Sequence, residues 1–411
     1  MSSQNAFNGG LNGGLNGGLN GGLNGGLNGG LNGGLNGGLN GGLLIPSLAW
    51  APIAPALMSS REGIVRSDDT ACSLWPGYQL AEVGGTSQQF LAWAPTVRKQ
   101  TLIQEVLART RVVCGAANGP APDLVTFQVR GSDDKLIDVS SLARPGLDVF
   151  ENQLSSVMAA AELRSERAAE IYAQLDSAWP FWHSMLPERA ERLLHTQVLF
   201  DLGVEVSTYV GMAFKNACAC PRPSELSPQI QALIPVPGHS SYPMGHATQA
   251  FVVARLLHRL LAKACEGMGA GPFGPFGPLL TQAYRLAYRI SENRVVAGVH
   301  FEIDLWAGRR LGLAIADTIA ALAGSMDPIA AARALLPAET KEVTDAIGLA
   351  GDSGLPDLIP GNTFVAVAFN AAVKEWTDFM ALRGAPAGAV AQAKAGRKIG
   401  AKKPGNKGGR A

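Results

Sequence analysis

Three short stretches place cations and imidazoles at spacings that suit a bound oxyanion. In KNACACPRP, Lys215 and Arg222 lie seven residues apart, and Pro221 and Pro223 stop the preceding helix and hold the chain extended around Arg222. In GHSSYPMGHATQ, His246 follows the turn YPMG near the start of a further helix, where unpaired backbone amides and the helix dipole favour an anion. His239 stands seven residues before it. In SENRVVAGVHFEID, Arg294 and His300 are six apart, and Asp304 follows His300 by four, a spacing that puts both on one helical face.

Each residue type has a use. Arginine offers a planar fork that pairs with two oxygens at once, and lysine a compact point charge, so together they neutralise a tetrahedral oxyanion without protonating it. A neutral imidazole at His300 can attack or ligate the central atom, and Asp304, accepting the other ring N–H, would hold the tautomer that leaves one nitrogen bare. His246 is then the group to give or take a proton on the opposite side. Taken singly, each spacing also has an ordinary explanation, such as a charged helix face or an i,i+4 ion pair. The co-occurrence of all three in one region carries the reading. His183, His195 and His258 lack such company and are expected to be packing or surface histidines.

The elements that must position these groups are helical. From about Phe150, FENQLSSVMAAAELRSERAAEIYAQL and ERAERLLHTQVLFDLGVEVSTYVGMAFKNA show apolar residues at i, i+3, i+4 and i+7 with charges opposite. The same period marks HATQAFVVARLLHRLLAKA, PLLTQAYRLAYRISENRVVAG, FEIDLWAGRRLGLAIADTIAALAG and FVAVAFNAAVKEWTDFMALRG. Their linkers are rich in Pro and Gly, GMGAGPFGPFGP above all, read as a flexible connector. The expected fold is mainly α: a helical bundle whose loops carry the polar residues. Four regions follow: a low-complexity tail over 1–43, a mixed region over 44–148 packing on the bundle, the helical catalytic domain over 149–384, and a basic disordered tail over 385–411. Within 44–148, DLVTFQVRG reads as β-leaning and TLIQEVLART as helical.

Residues 7–42 are one FNGG and eight LNGG units, a flexible tail by its glycine content or, alternatively, a glycine-rich assembly element. The formal net charge is +1, yet the last 21 residues hold seven Lys/Arg and no acid, so residues 1–390 carry 27 basic against 33 acidic groups. That basic run reads as a solvated extension, and no specific nucleic-acid partner is expected. Five cysteines (Cys72, Cys114, Cys218, Cys220 and Cys265) form an odd set without a CxxC pair, which argues against a disulfide framework and a structural zinc site. No Lys or Arg precedes Arg61, so the apolar run LLIPSLAWAPIAPALM, interrupted by Pro46, Pro52 and Pro55, lacks the positive region of a signal peptide, and the later apolar helices carry internal charges and never give roughly 18 uncharged apolar residues in a row. The protein is expected to be soluble and cytoplasmic.

Lys215-x6-Arg222-Pro223, Pro243-x-Gly245-His246 and Ser291-x2-Arg294-x5-His300-x3-Asp304 together resemble the three-part signature of the type 2 phosphatidic acid phosphatase and vanadium haloperoxidase superfamily, over about 90 residues. GHSSYPMGHATQ is most similar to the turn of the bromoperoxidase-like branch, where His239 matches a histidine seven before the acid–base histidine. The resemblance implies the superfamily's helical bundle, with His300 as axial ligand to vanadate or as phosphohistidine nucleophile. It also implies Lys215, Arg222, Arg294 and the Gly245 amide around the oxyanion, His246 as acid–base group and His239 tuning halide oxidation. Vanadate is the implied cofactor, phosphate being able to take the same site, and hydrogen peroxide with halide, bromide favoured, the implied substrates of a peroxidase. The alternative is a soluble acid phosphatase acting on phosphate esters, and a third reading is a non-catalytic member acting in assembly or binding. Related soluble enzymes suggest a homo-oligomer. Met244 departs from the pattern, which has serine there. A lost hydroxyl donor to an oxyanion is worth roughly 1.5–3 kcal/mol, hence about one to two decades of affinity.

Overall fold

The computed structural model describes residues 86–115, 123–131, 134–186, 192–266, 274–325 and 363–382, with isolated positions between 57 and 80. The LNGG repeats, the basic tail, Cys72 and the first half of GMGAGPFGPFGP lie outside the described residues. The chain divides into two compact units, Met1–Glu105 with Tyr172–Ala178, and Val106–Ile171 with Trp179–Ala411. In the first, helix α1 (Ser87–Ala92) opens on a reciprocal cap: Gln89 N–H donates to Thr86 Oγ1 at 3.2 Å, and Thr86 N–H to Gln89 Oε1 at 2.7 Å. Helix α2 (Pro95–Leu107) begins there with proline at its first position, where the missing N–H costs nothing.

The second unit starts with an antiparallel meander of β1 (Thr110–Cys114), β2 (Leu124–Arg130) and β3 (Leu136–Ala143), in the order β1-β2-β3. Val112 pairs with Phe127 and Phe127 with Ser140, and the β2–β3 register slips after Phe127. Central β2 is buried on both faces from Val125 to Val129, polar Thr126 and Gln128 included: Thr126 Oγ1 donates to Gly115 O at 2.8 Å and Gln128 Nε2 to Asp138 Oδ1 at 2.7 Å. Then come α3 (Leu147–Ala160), a 3₁₀ turn (Ala161–Leu163) and α4 (Arg164–Asp176). The sequence period runs straight through this break, and no Gly or Pro marks it. Its anchor is tertiary: Arg164 donates to the carbonyls of Val296 (2.9 Å), Gln231 (2.9 Å) and Ile230 (3.2 Å).

After α5 (Trp179–His183) the bundle consists of α6 (Leu194–Cys218), the short α7 (Pro223–Leu226), α8 (Gly245–Ala264), α9 (Gly277–Val296), α10 (Glu302–Leu322) and α11 (Phe364–Leu382). The fold is mainly α with one small sheet, as the sequence predicts. Helix α8 packs against α6, α9, α10 and α11, and from Ala250 to Leu261 it is buried on every face. Its buried cations are matched by one acid. Asp317 of α10 receives Arg255 Nε at 2.7 Å, Arg255 Nη2 at 3.1 Å and Arg259 Nε at 2.8 Å, while His258 Nδ1 lies 3.1 Å from Tyr284 Oη. Helix α6 is capped from outside: Glu375 of α11 accepts the amides of His195 (2.7 Å) and Thr196 (2.9 Å).

Two glycines one turn apart let α10 reach the first turn of α8. A Cβ on Gly308 would stand 2.5 Å from Met244 O, and one on Gly312 2.5 Å from Thr248 O. That close approach sets the two histidine-bearing ends side by side. Among the described residues no helix is long and apolar enough to cross a membrane.

Candidate active site

Lys215 sits in the last turn of α6, which ends because Ala219 turns left-handed (φ 48°, ψ 40°) and returns its N–H to Lys215 O at 3.0 Å. The buried ammonium donates to the carbonyls of Ser240 (2.8 Å) and Ser241 (2.6 Å). Arg222 precedes α7 in extended conformation (φ −96°, ψ 159°), and its own N–H is held by Glu225 Oε2 at 2.6 Å. Its guanidinium ties two loops together: Nε donates to His239 O at 2.8 Å and Nη1 to Val299 O at 2.7 Å. Arg294 lies in the last turn of α9, buried, with Nη2 donating to Ile171 O at 3.1 Å. Burial pushes the Arg294 guanidinium down to about 10, against the pull of Glu170.

His300 lies just outside α10, two residues before its first helical position, so it and Asp304 do not meet as neighbours on a helical face. They meet because Asp304, at the third position, turns its carboxylate back over the helix start. Oδ2 accepts Phe301 N–H at 2.9 Å and lies 2.9 Å from His300 Nδ1. Its charge also sits at the positive end of the helix dipole. Ser241 Oγ donates to the same Oδ2 and stands 3.3 Å from His300 Nδ1. On the other side of the ring, Arg222 Nη1 lies 3.4 Å from His300 Nε2. A carboxylate at Nδ1 and a donor at Nε2 assign one tautomer: the proton is on Nδ1 and the lone pair on Nε2. Burial holds the His300 imidazolium well below the ordinary histidine range, with Lys215 and Arg222 acting the same way. Burial raises the Asp304 carboxyl, opposed by the bonds from Ser241 and Phe301. It also lowers the Lys215 ammonium, opposed by Asp304.

His246 is the second residue of α8. It is half-buried, and its ring makes no hydrogen bond to any described residue. Burial, followed by Arg294, His300, Lys215 and Arg222, drives its imidazolium far down. That list of neighbours places His246 in the electrostatic reach of all four partners that the sequence spacing selected. Ahead of it, Met244 spends its N–H on Asp304 O at 2.9 Å and its carbonyl on Thr248, and its side chain is 0% exposed with no capping bond. Gly245 is therefore the first residue of the turn whose amide is open to a ligand, and a Cβ there would meet nothing within 4 Å. His239 stands exposed at the rim, Nδ1 3.2 Å from Arg222 Nη2.

All the expected site residues converge, then, with His239 at the edge. Ser241 was not singled out by the sequence reading. Its only signal is that it lies inside GHSSYPMGH, where two adjacent serines give no cue as to which points inward. Cys218 and Cys220, under Lys215, are free thiols pushed up to about 12 by burial. The pocket's excess of cations suits a tetrahedral oxyanion, whether centred on phosphorus or on vanadium, rather than a bare cation. Among the described residues no group of three or more His, Cys, Asp and Glu could hold a metal ion.

The fold and the site define an arrangement: a helical bundle that brings together three cations, a carboxylate-bound histidine and a second histidine at a helix start. Residues 198–324 match the family described as the PAP2 superfamily, a stretch that contains Lys215, Arg222, His246, Arg294, His300 and Asp304, so the chain carries a PAP2 superfamily domain. A solved structure described as the first transmembrane PAP2 type phosphatidylglycerolphosphate phosphatase from Bacillus subtilis is similar at 18% identity and a TM-score of 0.33, covering 45% of this chain and 90% of that one. A comparison with curated proteins finds no match.

Proposed function

We propose that the pocket hydrolyses phosphate monoesters through a phosphohistidine on His300. The observation that carries this reading is the pair of contacts on the His300 ring, with Nδ1 on Asp304 and Nε2 turned, unprotonated, toward the guanidinium of Arg222. Lys215, Arg222 and Arg294, with the Gly245 amide, neutralise the phosphoryl oxygens and hold the phosphorus before Nε2. As the N–P bond forms and the ester P–O bond breaks, His246, which the bound phosphate dianion holds protonated, gives its proton to the leaving alkoxide. It then takes a proton from the water that cleaves N–P, and inorganic phosphate leaves. The membership of residues 198–324 supports this class of chemistry.

His239 favours a second reading, a vanadate-dependent bromoperoxidase. Its ring lies at the rim against Arg222, at the position where the bromoperoxidase-like pattern has a histidine. The residues present fit the cofactor: His300 Nε2 would ligate vanadate, and Lys215, Arg222, Arg294 and the Gly245 amide would surround its oxygens. Bound vanadate supplies a Lewis-acidic centre at which hydrogen peroxide becomes able to oxidise halide. A parallel assay separates the two: aryl phosphate hydrolysis in vanadate-free buffer, and dye bromination with orthovanadate, bromide and peroxide. The phosphatase reading expects the first and little or none of the second. Bromination without hydrolysis reverses it.

A further inference from the structure

Ser241 is 0% exposed and touches the site at three points, each through a different atom. Its carbonyl accepts the Lys215 ammonium at 2.6 Å, its amide donates to Cys220 O at 3.1 Å, and its hydroxyl donates to Asp304 Oδ2 while lying 3.3 Å from His300 Nδ1. The hydroxyl, Asp304 Oδ2 and His300 Nδ1 thus close a triangle. Three donors converge on Oδ2, namely Ser241 Oγ, Phe301 N and His300 Nδ1, whereas the buried Oδ1 has no hydrogen-bond partner. Everything that holds this carboxylate acts through one oxygen. A backbone amide cannot rotate away and the imidazole is the group being positioned, so the serine hydroxyl is the adjustable member.

We propose that Ser241 is a positioning residue: by donating to the carboxylate oxygen that receives His300 Nδ1–H, it fixes the ring and the tautomer that present Nε2 to the phosphoryl group. The role in catalysis rests on the phosphohistidine reading of His300; the role in setting the tautomer does not. The groups that face Asp304 are Lys215 from α6, Cys220 and Arg222 from the segment beyond it, Tyr242 from the motif turn and His300. Of these only Lys215, Arg222 and His300 help to keep the carboxylate charged. Removing the serine donor leaves Oδ2 held by the Phe301 amide and by His300 itself, so the carboxylate is no longer fixed against the ring and Nδ1–H loses its aligned acceptor. A ring without that acceptor can carry its proton on Nε2, where it blocks attack.

The test compares wild type with Ser241→Ala, Ser241→Cys and Ser241→Thr by two readouts. The first is nitrogen-15 NMR of histidine-labelled protein, which reports which His300 nitrogen carries the proton whether or not any substrate is turned over. Wild type is expected to show Nδ1–H with Nε2 bare. Ser241→Ala should show a mixture of the two tautomers, and Ser241→Thr should restore the single one. Ser241→Cys keeps the volume with a weak donor and covers the case in which Ser241→Ala does not fold. The second readout is aryl phosphate hydrolysis. In Ser241→Ala kcat should fall about tenfold or more with KM little changed, and Ser241→Thr should recover most of it. An unchanged His300 tautomer in both Ser241→Ala and Ser241→Cys overturns the proposal, as does a kcat equally lowered in Ser241→Thr. A wild type that hydrolyses nothing but shows the serine-dependent tautomer contradicts the phosphatase reading instead, and upholds the positioning role.

Discussion

Asp304 Oδ2 lies 2.9 Å from both His300 Nδ1 and the Phe301 amide, so one carboxylate oxygen caps helix α10 and orients the imidazole that precedes it. The helix start and the proposed nucleophile are one structure. Asp304→Asn keeps the volume but can present an amide N–H to Nδ1, which favours the wrong tautomer. It should lower kcat for phosphate esters by about 10² or more while leaving binding of phosphate within a few fold. A kcat that stays near wild type would mean that Asp304 serves the helix alone.

His246 can be separated from the other site residues by the leaving group. If it protonates the departing oxygen, His246→Ala should cost about 10²–10⁴ in kcat on an alkyl phosphate and far less on a nitrophenyl phosphate, whose oxygen leaves without a proton. Equal losses on the two esters would place His246 in oxyanion binding.

The buried histidines predict a stability profile. His258 is pushed down to about 3 by burial and by Arg255 and Arg259, and His246 and His300 are also lowered, so all three stay neutral in the folded chain. The unfolded chain binds protons on them below the ordinary histidine range. Their contribution is therefore intact above about pH 6.5 and lost as pH falls, at about 1.4 kcal/mol per pH unit for each neutral histidine. Denaturant melts between pH 7 and pH 4 should show this slope, and His258→Gln should reduce it by about one proton. Added phosphate should oppose it, because an anion in the pocket favours charged His246.

Met244 is fully buried at the position where the resembled pattern has serine. Met244→Ser should bind vanadate, as a phosphate mimic, about ten- to a hundredfold more tightly. Replacing a buried methionine also leaves a cavity, so the same variant should be less stable by about 2 kcal/mol or more in urea melts. Equal vanadate affinity would show that the side chain at 244 does not face the oxyanion.

How far the sequence reached depended on whether a feature is local. The helices of the bundle were legible because their apolar residues recur at the 3.6-residue period, and α8, α9, α10 and α11 begin and end within two residues of the periodic stretches. The break at Ala161–Leu163 was not, because its cause is Arg164 reaching carbonyls at 230, 231 and 296. Strand β2 showed itself by the β-branched and aromatic residues of LVTFQV, while β1 and β3, flanking it, mix polar and apolar residues without clear alternation. The site's cations and histidines were legible by type and spacing. Ser241 was not, since a serine becomes informative only when the fold sets its hydroxyl against a buried carboxylate. The meeting of His300 with Asp304 was foreseen, but for a helical reason that the structure replaces with a cap.

The most direct test of the central claim is to trap the intermediate. Protein mixed with an aryl phosphate in vanadate-free buffer and quenched in alkali, where a phosphoramidate bond survives, should carry phosphate on one histidine, mapped by mass spectrometry to His300. The label and the hydrolysis should disappear together in His300→Ala. Hydrolysis that persists in His300→Ala, or a wild type that neither turns over nor labels, would contradict the account.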